Sequence, residues 1–146
     1  MGGSERAVVF VVDDDPDMQD AASLLLESEG YAVRTFGSAD AFLEGLHEQI
    51  PDAALIDLKL PGLSGADLAL LLGAHDRTRS VCRLALTGRQ LGASEAQLFH
   101  ALLTKPVTGA GLIDFVATAL ASWRERRASH PDRRARRVSR RRRARR

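Results

Sequence analysis

Runs of apolar, β-prone residues alternate five times with amphipathic stretches, and this alternation constrains the fold more than any other feature of the chain. The first run, Ala7-Val-Val-Phe-Val-Val12, is continuously apolar, as expected of a strand buried on both faces. It stops at Asp13-Asp14-Asp15-Pro16. Asp15 suits a helix N-cap with Pro16 in the first turn. That helix should run to about Glu29, with Gly30 placed to end it. Residues 31–36 read as a second strand, less apolar and suited to an edge. Ser38 opens a second helix, whose Ala39, Phe42, Leu43 and Leu46 follow the i, i+3, i+4, i+7 stripe. Residues 52–57 form a third strand, ended by Leu60-Pro61-Gly62. Ser64 and Asp67 look like a capping box, and Leu68, Leu71, Leu72 and His75 keep helical spacing after it. Residues 81–87 give a fourth strand, followed by a short helix with Ser94 and Gln97 as its capping pair. Residues 101–104 give a fifth strand, and the last helix carries Leu112, Phe115, Val116, Ala119 and Trp123 on one face.

Strands that alternate with helices imply parallel βαβ crossovers, and so an open sheet covered on both sides by helices. The pattern ends at Arg124. Residues 1–123 hold 8 Lys+Arg against 17 Asp+Glu, a net charge of −9, and residues 124–146 hold 13 Arg against 2 acids, a net charge of +11. The chain is thus expected to be one acidic folded domain, 1–123, followed by an Arg-rich tail, 124–146. With so few apolar residues the tail cannot form a core, and disorder is expected there. Cys82 is the single cysteine, which excludes an internal disulfide and reads as a small buried residue. No apolar stretch nears the ~20 residues that span a bilayer. The N-terminus lacks the basic-then-apolar order of a signal peptide and the Ser or Thr of a myristoylation signal. These features point to a cytoplasmic protein with no membrane contact.

In a doubly wound sheet, ligands bind beyond the carboxyl ends of the strands, at the switch point of the topology. Each strand end can be read off: Asp13 and Asp14 after the first, Asp57 at the third, Thr87 at the fourth, Lys105-Pro106 after the fifth. If the strands order as 2-1-3-4-5, three carboxylates, a hydroxyl and an ammonium converge on one patch. Clustered carboxylates repel one another unless a cation intervenes. Mg²⁺ takes oxygen ligands and keeps several waters, so one or two direct carboxylates suffice. Asp14 and Asp57 are the expected direct ligands, with Asp13 acting through a water and the backbone carbonyl of Lys59 completing the protein's share. An aspartate beside such an ion can also be a nucleophile that forms an acyl phosphate. Phosphoryl transfer is mostly positioning and charge neutralisation. The ion would hold one phosphoryl oxygen and Lys105 a second, while Thr87 and the backbone N–H after Asp57 hold the third.

These residues resemble the receiver family of two-component response regulators. The resemblance rests on Val11-Val12-Asp13-Asp14-Asp15, on Leu55-Ile56-Asp57-Leu58-Lys59-Leu60-Pro61-Gly62-Leu63-Ser64-Gly65, on Leu84-Ala85-Leu86-Thr87-Gly88, and on Thr104-Lys105-Pro106. It covers roughly residues 7–123. It implies a flavodoxin-like (βα)₅ fold with strand order 2-1-3-4-5, and phosphorylation of Asp57 by a histidine kinase or histidine phosphotransfer protein. Mg²⁺ dependence and self-catalysed dephosphorylation are implied in the same way, and the chain would be a signalling receiver rather than an enzyme acting on external substrates. Two departures stand out. The segment from Gly88 to Thr104 is compact, which implies a shortened fourth helix. The family's usually aromatic switch position, three before the lysine, is Leu102, which offers no hydroxyl.

A different class of function would use the Arg-rich segment to hold nucleic acid by releasing counterions from phosphates, with the receiver-like body as a scaffold. No aromatics are interleaved there beyond Trp123, so base stacking is not supported. An aspartate-dependent phosphohydrolase would need a second acid two residues after the nucleophile, where Lys59 stands. His47, His75, His100 and His130 show no metal-ligand spacing. His75 reads as structural, and Trp123 as a core or interface residue. Arg89 and Lys59 flank the expected site.

Overall fold

A computed structural model describes residues 6–129. Strands and helices alternate through it in the order the apolar pattern implies: β1 (Val8–Val12), α1 (Pro16–Ser28), β2 (Ala32–Phe36), α2 (Ala39–Glu48), β3 (Ala53–Asp57), α3 (Gly65–Ala74), β4 (Cys82–Thr87), α4 (Ala93–Ala96), β5 (Ala101–Thr104) and α5 (Gly109–Ser129). All four strand pairings are parallel and the order is β2-β1-β3-β4-β5. This is the flavodoxin-like (βα)₅ arrangement, with β2 at one edge as expected and β5 at the other.

Side chains alternate across a strand, so the buried β1 splits its residues between two cores. Phe10 and Val12 join Phe36, Phe42, Leu46, Ile56, Leu68 and Leu72 on the side covered by α2 and α3. Val9 and Val11 join Leu26, Leu55, Leu84, Leu86, Leu112, Val116 and Leu120 on the side covered by α1 and α5. Every residue of β3 is buried, which is why its sequence shows no polar alternation. Phe10, Phe36 and Phe42 form a tilted and edge-on aromatic trio, with ring centroids 5.0 to 5.7 Å apart. Fully burying side chains of this size contributes roughly 1.5–3 kcal/mol each.

Several local signals act as the sequence suggests. The Asp15 carboxylate accepts from the Asp17 N–H ahead of Pro16. Ser38 and Ser64 accept from Ala41 N–H and Asp67 N–H. Gly30 follows the C-cap of α1 at φ 94°, where a side chain would be strained.

Other local readings need correction. Helix α4 starts after Gly92 with no side-chain cap, so Ser94 lies inside it and Gln97 is its C-cap, not one of a capping pair. Only four residues long, α4 is indeed short. His75 is the C-cap of α3 rather than part of its stripe. Helix α5 continues through Ser129, six residues past Trp123. Arginine is a good helix former, and Arg126 and Arg127 in the last turn favour the negative end of the helix dipole, so the charge run extends the helix. The remainder of the Arg-rich segment, residues 130–146, lies outside the described residues, and so does the expectation of disorder there. Among the described residues, no helix is long and apolar enough to cross a membrane.

Candidate functional site

The strand registers bring the chemistry-bearing ends level. Val12 pairs with Ile56, so Asp13 and Asp57 follow side by side. Asp57 pairs with Leu86, which places Thr87 one residue beyond, and Thr87 pairs with Thr104, next to Lys105. The chain leaves β1 toward β2 on one side and leaves β3 toward β4 on the other, and the loops part to leave a crevice. Asp13, Asp14, Asp15, Asp57, Lys59, Thr87, Arg89 and Lys105 line this cleft of ≈ 430 Å³, together with Leu58 and Gly88.

Within it, one carboxylate oxygen from each of Asp13, Asp14 and Asp57 lies within 4.8 Å of the others. Asp13 is fully buried and Asp57 nearly so, whereas Asp14 is exposed. Asp13 Oδ1 accepts from the Asp15 N–H at 2.9 Å, and Gln19 Nε2 donates to the Asp13 carbonyl at 2.6 Å. Among the described residues Asp13 Oδ2 is buried with no hydrogen-bond partner, and the Lys105 ammonium stands 3.6 Å from it. That ammonium lies closer to Asp57 Oδ2, at 3.3 Å. Asp57 Oδ1 accepts from the Lys59 N–H at 3.0 Å.

The charges follow from these distances. Burial pushes the Asp13 pKa up; the Asp15 amide offsets part of this, and repulsion from Asp57 adds to it. Burial works to lower Lys105, but the charges of Asp13 and Asp57 outweigh it and hold its pKa above the ordinary value. An orphaned buried carboxylate oxygen beside two further carboxylates is the environment in which a hard divalent cation fits.

All of Asp13, Asp14, Asp57, Thr87 and Lys105 are brought together, with Lys59 beside them. Two details differ from expectation. The amide directly after Asp57, Leu58 N–H, is committed to the Leu86 carbonyl, so the amide beside the carboxylate is that of Lys59. The Thr87 hydroxyl is bonded to its own loop: it donates to the Arg89 carbonyl at 2.8 Å and accepts from the Arg89 N–H at 3.1 Å. Gly65 closes the second sequence motif, but the sequence reading assigned it no role. Ile56, Asp57 and Leu58 press on it so closely that a Cβ would meet the Asp57 carbonyl oxygen and stand 2.8 Å from Leu58 Cα. Its place at the start of α3 behind Ser64 gave no hint of this contact. Leu102 is 42% exposed on the edge strand β5. Arg124, Arg126 and Arg127 are exposed on the last turns of α5, and the rest of the expected nucleic-acid contact falls outside the described residues.

Known proteins share this architecture. The chain is 36% identical over 82 residues to the DNA-binding response regulator MtrA of Mycolicibacterium smegmatis, an overlap covering 56% of this chain and 36% of that protein. It therefore spans about a third of that relative's length. The structure of a putative response regulator from Chloroflexus aurantiacus superposes with a TM-score of 0.72 at 29% identity, over 80% of this chain and 99% of that one. The chemotaxis response regulator CheY4 of Vibrio cholerae gives the same TM-score at 20% identity, over 79% and 99% of the two chains, a likeness of fold. Residues 9–117 match the response regulator receiver domain, and with its strand order and its acidic cleft the chain belongs to that family.

Proposed function

We propose that the domain accepts a phosphoryl group on Asp57 from a histidine kinase or a histidine phosphotransfer protein. The P–N bond of the donor phosphohistidine would break as a P–O bond forms to an Asp57 oxygen, leaving an acyl phosphate that water later cleaves. The observation that carries this reading is Asp57 itself: nearly buried, at the end of the central β3, with an ammonium at 3.3 Å and two more carboxylates alongside.

The orphaned Asp13 Oδ2 supports a divalent cation at this place, and Mg²⁺ suits the all-oxygen donor set. Asp14 and Asp57 would hold it directly, Asp13 through a water, with the Lys59 carbonyl as a further donor. Bound there, Mg²⁺ would offset the negative charge on the carboxylates and the incoming phosphoryl group. Lys105 would neutralise a second phosphoryl oxygen. The Lys59 N–H, already at the Asp57 carboxylate, and the Thr87 hydroxyl would serve the third.

The domain would catalyse only its own phosphorylation and dephosphorylation, and would signal by changing the partners it binds. The cytoplasm, where thiols stay reduced, suits the free buried Cys82. The test is incubation with a small phosphodonor and Mg²⁺, followed by intact mass measurement. One phosphoryl group should add to the wild type, be released by hydroxylamine, and be absent from Asp57→Asn. Labelling of Asp57→Asn at the wild-type level would reject Asp57 as the acceptor.

A further inference from the structure

Thr87 cannot serve Asp57 in the conformation observed. A hydroxyl has one proton to give, and that of Thr87 goes to the Arg89 carbonyl at 2.8 Å, while the Arg89 N–H is bonded back to the same oxygen. Freeing the hydroxyl means opening the turn from Thr87 to Arg89.

That turn is held from its far side. The Arg89 guanidinium grips the Glu95 carboxylate through two bonds of 3.1 and 2.8 Å, and Nη1 also reaches the Gln90 carbonyl at 3.2 Å. A guanidinium fork on a carboxylate fixes direction as well as distance. Glu95 sits on α4, which buries none of its four residues and has no side-chain N-cap. A helix so lightly anchored follows whatever grips it. The Arg89–Glu95 fork is therefore what ties this turn to α4.

We propose that Glu95 is a positioning residue of the Asp57 site: through Arg89 it keeps the Thr87 hydroxyl committed to its own loop. The inference rests on the phosphoryl-acceptor reading above. It makes the fork a catch that opposes the engaged state. The pair is exposed, so its hold is modest, and its removal is worth up to about a fivefold change.

Glu95→Gln keeps the shape and removes the charge. Titration calorimetry with beryllofluoride, a mimic of the phosphoryl group, in the presence of Mg²⁺ should give about two- to fivefold tighter binding to Glu95→Gln than to the wild type. Mg²⁺ alone should bind both equally. In a Thr87→Ala background the gain from Glu95→Gln should vanish, which a general loosening of α4 would not produce. In the metal-free protein, amide hydrogen exchange at Arg89 should be faster in Glu95→Gln. Unchanged beryllofluoride affinity in Glu95→Gln, or a gain that survives Thr87→Ala, overturns the catch while leaving the acceptor reading intact. A wild type that binds no beryllofluoride with Mg²⁺ overturns both.

Discussion

Replacing Asp13 by asparagine should stabilise the metal-free domain while weakening its hold on Mg²⁺. Asp13 is fully buried, and its Oδ2 has no hydrogen-bond partner. Leaving a buried acceptor unsatisfied costs about 1–3 kcal/mol. Asparagine keeps Oδ1 for the Asp15 N–H, removes the repulsion with Asp57, and can turn its amide toward that carboxylate. What it loses is the attraction to Lys105 at 3.6 Å, and the ammonium keeps its nearer partner, Asp57 at 3.3 Å. The balance favours asparagine by about 1–2 kcal/mol. For a domain of this length that raises the melting temperature by roughly 3–10 °C. Urea and thermal unfolding in EDTA would measure the gain. Repeating both with Mg²⁺ should stabilise the wild type by ligand linkage and the variant less, narrowing or reversing the difference. A variant that is less stable than the wild type in EDTA, or that Mg²⁺ stabilises just as much, would refute the reasoning.

Three further outcomes follow. Gly65→Ala forces a Cβ against the Asp57 carbonyl and Leu58 Cα, so it should cost about 1–3 kcal/mol by urea unfolding and weaken Mg²⁺ binding by calorimetry, since the backbone carrying Asp57 must shift. Burial, with the Arg83 and Arg126 charges adding to it, lowers the His100 pKa to about 4 from 6.5, while Nδ1 accepts from the Arg83 N–H at 2.8 Å. Between those values the unfolded chain takes up a proton that the fold refuses, so stability is full above pH 6.5 and falls by about 2 kcal/mol toward pH 4, after discounting for partial exposure. His100→Asn, which keeps an acceptor, should remove that part of the acid sensitivity, and equal unfolding free-energy differences from wild type at pH 7 and 4.5 would contradict it. Burial pushes the Cys82 thiol up to about 11, so the native protein should resist a thiol reagent at pH 8 and react only on unfolding.

The sheet was legible because its signals are redundant. Strands buried on both faces read as near-continuous apolar runs, as β1 and β3 do here. The converging side chains were legible for the same reason: Asp13, Asp14, Asp57, Thr87 and Lys105 all stand at or just after strand ends, and strand ends meet in one place once the order is 2-1-3-4-5. What pattern could not supply was local commitment. Nothing in the spacing of Thr87 and Arg89 says that one hydroxyl is bonded twice to the same residue, and nothing marks Glu95 as its distant anchor. The limits of α4 and α5 were misplaced where propensity is weak or misleading: a glycine opens the first, and a run of arginines prolongs the second.

The indole of Trp123 donates to the Ser80 carbonyl at 2.9 Å and stacks on the His100 ring at 3.8 Å. Ser80 lies just before β4, whereas Thr87 closes it, so at ~3.3 Å per residue the only tryptophan sits roughly 20 Å from the carboxylates. Its fluorescence is a gauge of imidazole protonation and of unfolding. An optical titration that relies on it will be blind to a cation arriving at Asp57, and a flat signal there is the expected result whether the cation has bound or stayed in solution.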